Sequence, residues 1–274
     1  MKTDCTKAFT LIELLVVISI IGLLSSIVLT SLEGGEQRAI TGKAMEFSHT
    51  VRVSLGADLV GEWKFDEGMG TTTKDSSGSD NDGTLIDNPQ WVDGIFGKAL
   101  EFDGSNNYVN CGANVDDFIE DKVTIEAWIK PNATQPTAPA IIYISGRDRI
   151  ELYQGKFYFY ISTLSGSTNL FTGSWVADKW QHIVAIYDGS YGVNQGYFAI
   201  YKNAELEGSQ VSATVYGSIV KTSENSLIGR YATMSFNGLI DEVRAYNRAL
   251  SMAEIQQLYA EGAARHGLVL NQQK

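Results

Sequence analysis

Residues 14–32, LLVVISIIGLLSSIVLTSL, run for nineteen positions without a charged side chain. At 1.5 Å of rise per residue a helix of that length spans roughly 28 Å, close to the ~30 Å hydrocarbon core of a bilayer. The segment is therefore expected to cross a membrane as a helix. It exceeds the apolar core of a secretory signal peptide, and no small-x-small cleavage site follows it. Glu13 sits at the edge of the run. A carboxylate left unpaired toward the centre of a bilayer costs about 2.5–3.5 kcal/mol, so Glu13 calls for a cationic partner. Lys2 and Lys7 outweigh Asp4 ahead of the run, a bias that keeps these residues cytoplasmic while the rest is exported.

The stretch from Lys7 to Leu32, opening KAFTLIELLVV, resembles the N-terminus of type IV pilins and type II secretion pseudopilins. The resemblance implies that prepilin peptidase removes residues 1–8 as a leader, cutting between Ala8 and Phe9, and that the new N-terminus is methylated. Glu13 is the fifth residue after that cut. By the same resemblance it pairs with the amine of Phe9 on a neighbouring copy, so that its charge is neutralised on assembly into a helical filament. Ala8 stands where Gly is usual in the family, and Thr30 where many major pilins carry Pro. Many pilins close their C-terminal region with a disulfide. Here the cysteines are Cys5, in the leader, and Cys111, so the processed chain has no intrachain pair.

Past the membrane segment (9–32), Gly34 and Gly35 interrupt the helix. Ile40, Ala44, Phe47, Val51 and Leu55 then fall on one helical face, which predicts an amphipathic stalk over 33–57. From residue 58 to 262 the apolar period shortens to two, with runs separated by Gly, Asn, Asp and Ser clusters. Trp63 and Phe65, Leu100 and Phe102, and Val123, Ile125, Ala127 and Ile129 each mark one core face. Further runs cover 150–153, 157–161, 180–187, 197–201 and 239–246, with reversals at Gln154-Gly155 and Lys202-Asn203. Ser251 and Glu254 form a capping box ahead of a short helix that Gly262 is expected to stop, leaving 263–274 as a tail. The predicted class is mainly β, an antiparallel sandwich behind an N-terminal helix. A net charge of −11 makes nucleic acid an unfavourable partner and suits a domain displayed outside the cell.

Residues 61–70 (GEWKFDEGMG), 75–78 (DSSG), 94–104 (GIFGKALEFDG), 108–109 (YV), 125–131 (IEAWIKP), 180–182 (WQH) and 236–250 (FNGLIDEVRAYNRAL) together resemble the bacterial laminin-G-like family of concanavalin A-like jelly rolls. The resemblance covers nearly the whole of the head and implies that fold. It leaves function open, because the fold hosts lectin-like, adhesive and architectural domains.

The residues point away from catalysis. His49, His182 and His266 are scattered, without metal-ligand spacing, and no nucleophile elbow is present. Asp241 and Glu242 are adjacent in a strand and are expected to face opposite ways, which does not suit a glycosidase pair. Calcium is the ion best matched by the oxygen donors Asp66, Asp103, Asn106, Asn107 and Asp241. The resemblance lays the first and last strands side by side, bringing Asp66 to Asp241. The alternative is that these residues form turns and satisfy backbone donors. Trp128, Tyr158 and Tyr160 alternate with core positions, which puts them on an outer sheet face where rings can stack on a glycan; cross-strand packing is the other use of such rings. The sequence thus supports a pilin-like subunit displaying an adhesive or glycan-binding head. Its alternatives are a pseudopilin and a non-polymerising anchored protein that binds or cleaves glycans.

Overall fold

A computed structural model describes residues 55–144 and 148–265, with side chains to residue 263. Ala8, Phe9, Glu13 and most of the predicted stalk lie outside the described residues. The chain divides into two compact units, 1–52 and 53–274, and everything below concerns the second. Among the described residues no helix is long and apolar enough to cross a membrane; the run at 14–32 is not among them.

Two antiparallel sheets face each other, with strands numbered in chain order. The first runs edge to edge through β14 (Glu205–Ser212), β13 (Gln195–Lys202), β12 (Gln181–Gly192), β7 (Lys122–Pro131), β18 (Asn237–Tyr246), β5 (Lys98–Asp103) and β4 (Gln90–Asp93), with β1 (Leu59–Trp63) also paired to β18. The second runs through β11 (Gly166–Thr172), β10 (Lys156–Thr163), β9 (Asp148–Tyr153), β8 (Ala140–Ile144), β15 (Leu227–Ile228), β6 (Tyr108–Asn110), β3 (Gly83–Ile86) and β2 (Thr72–Thr73). A small ribbon pairs β16 (Arg230–Tyr231) with β17 (Met234–Ser235). The mainly β sandwich with a short C-terminal helix is thus present.

The period-two runs supply the core. Val123, Ile125, Ala127 and Ile129 of β7, Phe157, Phe159 and Ile161 of β10, and Ile183, Ala185 and Tyr187 of β12 join Trp63, Phe102 and Phe236 in one buried cluster. Rings of this size bury large apolar areas, and truncating one costs about 3–5 kcal/mol. Phe65 is buried too, although it lies beyond the end of β1 in the left-handed region at φ 55° rather than continuing the strand.

The helix α1 (Met252–Arg265) closes the head. Ser251 caps it as its sequence requires: the Ser251 N–H donates to Glu254 Oε2 at 2.8 Å, and the Glu254 N–H donates to Ser251 Oγ at 3.4 Å. Gly262 does not stop the helix. It lies inside α1 because a Cβ there would stand 2.2 Å from the Trp128 indole, so glycine permits the close approach of helix to sheet. The reversal after β13 uses Asn203 and Ala204, both at positive φ, one residue later than expected. Gln154 and Gly155, both also at positive φ, turn β9 into β10 as expected.

Candidate ligand-binding face

The outer face of the second sheet follows from the alternation in β10. With Phe157, Phe159 and Ile161 turned inward, Tyr158 and Tyr160 turn outward and half-exposed. Register then fixes their neighbours. Tyr158 lies opposite Glu151 on β9 and Phe171 on β11, and Tyr160 opposite Arg149 and Asn169. Two groups form. Tyr153, Tyr158 and Phe171 meet with ring centroids 6.0–6.4 Å apart, and the Lys156 ammonium lies 5.1 Å from the Phe171 centroid. Beside them the Arg149 guanidinium lies 4.4 Å from the Tyr160 ring and 4.2 Å from the Tyr231 ring, while Tyr231 packs 5.1 Å from Tyr143. Each cation–π contact contributes about 0.5–1 kcal/mol when exposed.

The polar groups of this face are tied in place. Arg149 Nε donates to Glu151, and the Tyr143 hydroxyl donates to Glu224. Burial pushes the Glu151 carboxyl up, with Arg149 pulling it back. Burial also raises the Tyr143 phenol, and the Glu224 bond adds to it. Asp148 turns the other way, inward with Ile150 and Leu152; it accepts the Ser162 N–H at 2.8 Å, and its carboxyl is raised by burial. The face is therefore a preset aromatic surface with charge held within it. Arg149, Tyr153, Phe171 and Tyr231 were not singled out from sequence. Period-two counting across the Gln154-Gly155 turn finds Tyr153; Phe171 stands in a strand with no apolar alternation to announce it.

Trp128 does not share this face. It points outward from β7, in the other sheet, and α1 covers it: Tyr259 stacks on it at 5.7 Å, His182 lies 5.1 Å away, and 1 % of the residue is exposed. Alternation identified its direction; the helix above it decides its access. Beside Trp128 on the same strand lies a buried charge cluster. Arg244 donates to Glu62 at 2.7 Å, to Glu126 at 2.6 Å and to Glu242, and His182 Nε2 lies 3.4 Å from Glu126. Burial opposes charge on Glu126, but Arg244 and His182 outweigh it and hold its carboxyl low. Glu242 is raised by burial against the pull of Arg244. Glu242 sits at φ 48° where the β18–β7 register slips between Asp241 and Arg244, so strict alternation fails at this pair.

The five oxygen donors expected to hold calcium divide between two places. Asp66 and Asp241 do approach one turn, residues 94–98, but they hold it. Asp241 Oδ2 accepts the Ile95 N–H at 2.8 Å and the Phe96 N–H at 3.2 Å, its Oδ1 accepts the Glu242 N–H, and Asp66 Oδ1 accepts the Lys98 N–H. Burial pushes Asp241 up to about 8 against those three donors. Gly94 and Gly97 face these carboxylates so closely that a Cβ would stand 2.4 Å and 2.0 Å from their oxygens. Asp103 and Asn107 instead line a pocket of about 540 Å³ with Asp87, Glu101, Asn88, Gln90 and Asn237. Asn106 joins neither group; its carbonyl accepts from Arg230 Nη1 at 3.0 Å. Among the described residues no three His, Cys, Asp or Glu side chains are grouped to hold a metal ion.

Two facing antiparallel sheets, one with an aromatic outer face and the other covered by a helix, define a β-sandwich. Residues 103–256 match the concanavalin A-like lectin/glucanases superfamily, and the chain belongs to that family. Residues 5–29 match the prokaryotic N-terminal methylation motif. No curated protein matches the chain. Among solved structures it is similar to the binding domain of Paraclostridial Mosquitocidal Protein 1, at TM-score 0.61 and 16 % identity, covering 76 % of this chain and 53 % of that one. It is also similar to the Botulinum Neurotoxin serotype G binding domain, at 0.60 and 17 %, covering 76 % and 52 %. Thus the chain spans about half the length of these toxin domains. Domain 4 of AbnA, a GH43 extracellular arabinanase from Geobacillus stearothermophilus in complex with arabinotriose, is matched over 98 % of its length and 74 % of this chain, at 0.57 and 20 %.

Proposed function

We propose that the protein is a pilin-type subunit whose head displays a glycan-binding surface outside the cell. Prepilin peptidase cuts between Ala8 and Phe9; residues 9–32 lie in the membrane until copies assemble through Phe9 and Glu13 into a filament. One observation carries the reading: a methylation motif at residues 5–29 stands ahead of a lectin-superfamily head in the same chain. The surface offered to glycan is the outer face around Tyr158 and Tyr160, where exposed rings stand on a rigid sheet and can stack on sugar rings. The arabinotriose-bound arabinanase domain, matched over nearly its whole length, supports an oligosaccharide as the ligand class. The role is binding and display rather than catalysis, since Glu62, Glu126 and Glu242 are all engaged by one arginine.

Intact-mass and N-terminal peptide analysis of the protein from its native surface tests the reading. The expected chain begins at methylated Phe9, and Glu13→Ala leaves it processed but unassembled. A chain that keeps residues 1–8, or a Glu13→Ala variant that still forms filaments, sinks the proposal.

A further inference from the structure

Among the described residues every cation–π contact falls on the outer face of the second sheet. Cations are scarce in a chain with 21 Lys and Arg against 32 Asp and Glu, and most of those in the head are bound to acids, as Lys122 is to Asp188 and Lys202 to Glu207. Lys156 is not. It is exposed, and among the described residues no carboxylate pairs with it. Alternation puts it on the same outward side of β10 as Tyr158, about 7 Å along the strand, and register puts it opposite Tyr153. Its ammonium lies 5.1 Å from the centroid of Phe171, a ring that is 38 % exposed and packs against Tyr158. The acids that reach this part of the face are already engaged. Glu151, opposite Tyr158, is buried and accepts from Arg149, and Glu207, close to Gly173 past the end of β11, is held by Lys202. Further along, Glu224 accepts the Tyr143 hydroxyl. At the far end Arg230 lies 5.0 Å from the Tyr108 ring. There, however, Asp87, Glu101 and Asp103 line the pocket that begins beside Ile86, the partner of Tyr108, so that end opposes an anion.

We infer that the oligosaccharide taken by this face is acidic, a uronic-acid chain whose carboxylate seats on Lys156 while its ring stacks on Tyr158. The inference rests on the glycan reading of the face and adds the charge of the ligand to it. A sugar ring laid flat on Tyr158 meets the negative face of the aromatic ring with its C–H groups. Its carboxylate, carried at the periphery and close to the ring plane, then points sideways over the sheet rather than into it, and Lys156 stands at that edge. The ammonium is a compact charge on a flexible stem with three donors, so it can keep its contact with Phe171 and still meet a carboxylate oxygen. A hydrogen bond between two charged groups is roughly twice as strong as one between neutral groups, and a neutral sugar offers Lys156 nothing that water does not. Charge also sets the place. A chain of net charge −11 repels an acidic polymer over most approaches, and the outer face around Lys156 and Arg149 is where that repulsion is relieved. A sulfated sugar shares the charge but holds it on an ester that swings away from the ring, so the seat beside Tyr158 is assigned to a carboxylate.

Calorimetry on the full-length protein in detergent tests this with oligogalacturonate and oligoglucuronate, each beside its carboxyl-reduced form, in which the carboxylates have become neutral alcohols. An acidic form is expected to bind, and its reduction to weaken binding by about tenfold or more. Lys156→Met should abolish that preference and Lys156→Arg should keep it. Lys179→Met, which takes the same charge from an exposed turn ahead of β12, should leave it intact. Equal affinity for acidic and reduced forms, a preference that survives Lys156→Met, or one that Lys179→Met lowers as much, overturns the inference. So does binding confined to sulfated oligosaccharides, or no binding of either uronate. A neutral oligosaccharide that binds and is lost with Tyr158→Ala, while neither uronate binds, leaves the glycan face standing and its acidic ligand refuted. Uronate binding indifferent to Tyr158→Ala takes the ligand off this face, and both readings fail.

Discussion

Arg244 is a single cation shared by three buried or nearly buried carboxylates, and this sets what its loss would do. Burial works against its own charge, and Glu126 leads the acids that more than restore it. Removing one partner of a buried pair costs about 3–5 kcal/mol because the remaining charge has no compensation. Arg244→Met should therefore destabilise the head by about that amount at neutral pH. The sign of its pH dependence follows. Without the guanidinium, Glu126 and Glu242 are buried acids with folded pKa values above their unfolded ones, so stability is fullest below the unfolded value and is lost as pH rises through the folded one. Denaturant melts should show the variant gaining more stability than the wild type as pH falls toward 5. Tyr158 is central to the glycan-binding face proposed above. An aromatic contact is worth about 0.5–1.5 kcal/mol beyond its buried area, so Tyr158→Ala should weaken oligosaccharide binding by roughly tenfold in calorimetry, while loss of its contacts with Tyr153 and Phe171 lowers stability by about 1 kcal/mol and leaves the head folded. Unaltered affinity would remove the ligand from this face. Residue chemistry such as this was half legible. Tyr158 and Tyr160 emerge from alternation, whereas the cluster around Arg244 depends on a register slip that no local pattern announces.

At the scale of elements, α1 decides access to the first sheet. It is anchored at both ends of its run, by Gly262 against Trp128 and by a cap that reaches beyond the helix. Arg248 donates to both oxygens of Glu254, at 2.9 and 2.7 Å, and to Asp58 Oδ2 at 2.6 Å. Its guanidinium, with Ser251, holds Glu254 at about 2. A depressed carboxyl contributes stability above its unfolded pKa that is lost as pH falls toward the folded one. For α1 that window lies between about 4.3 and 2. The pair is partly exposed and screened, so Glu254→Gln should cost under about 1 kcal/mol. Amide exchange in the first turn of α1 should quicken several-fold, and acid fraying over that window should disappear; identical exchange would show that the cap carries nothing. The capping box itself was legible because Ser and Glu at that spacing satisfy each other's backbone donors. That the helix lies over Trp128 was not, because alternation fixes which face a side chain takes and is silent on what covers it. Likewise β7, β10 and β12 announce themselves by period two, while β11 and β14, polar on both faces for most of their length, hold their place through their partners' ladders.

At the scale of the whole head, both the entry of the chain and its last helix meet at one corner. β1 pairs with β18, Leu59 opposite Tyr246 and Trp63 opposite Val243. The Asn247 N–H donates to the Asp58 carbonyl at 2.9 Å, and Arg248 holds Asp58 to Glu254. Sequence resemblance placed the first and last strands side by side, and β1 and β18 do pair antiparallel, with a register slip between Leu59 and Gly61. Near that corner Asp66 and Asp241 meet the turn at 94–98, where Asp241 Oδ2 accepts the Ile95 and Phe96 N–H groups and Asp66 Oδ1 accepts that of Lys98. The corner matters on the proposed reading, in which the chain is held at one end and the head binds at the other. Tension arriving along the backbone at Asp58 reaches the β1 ladder, the start of α1 and the adjoining end of β18 together. A strand hung from a single hydrogen bond would peel open one rung after another; here the first rung is riveted by a guanidinium to two other elements, so the head behaves under load as a block rather than a thread.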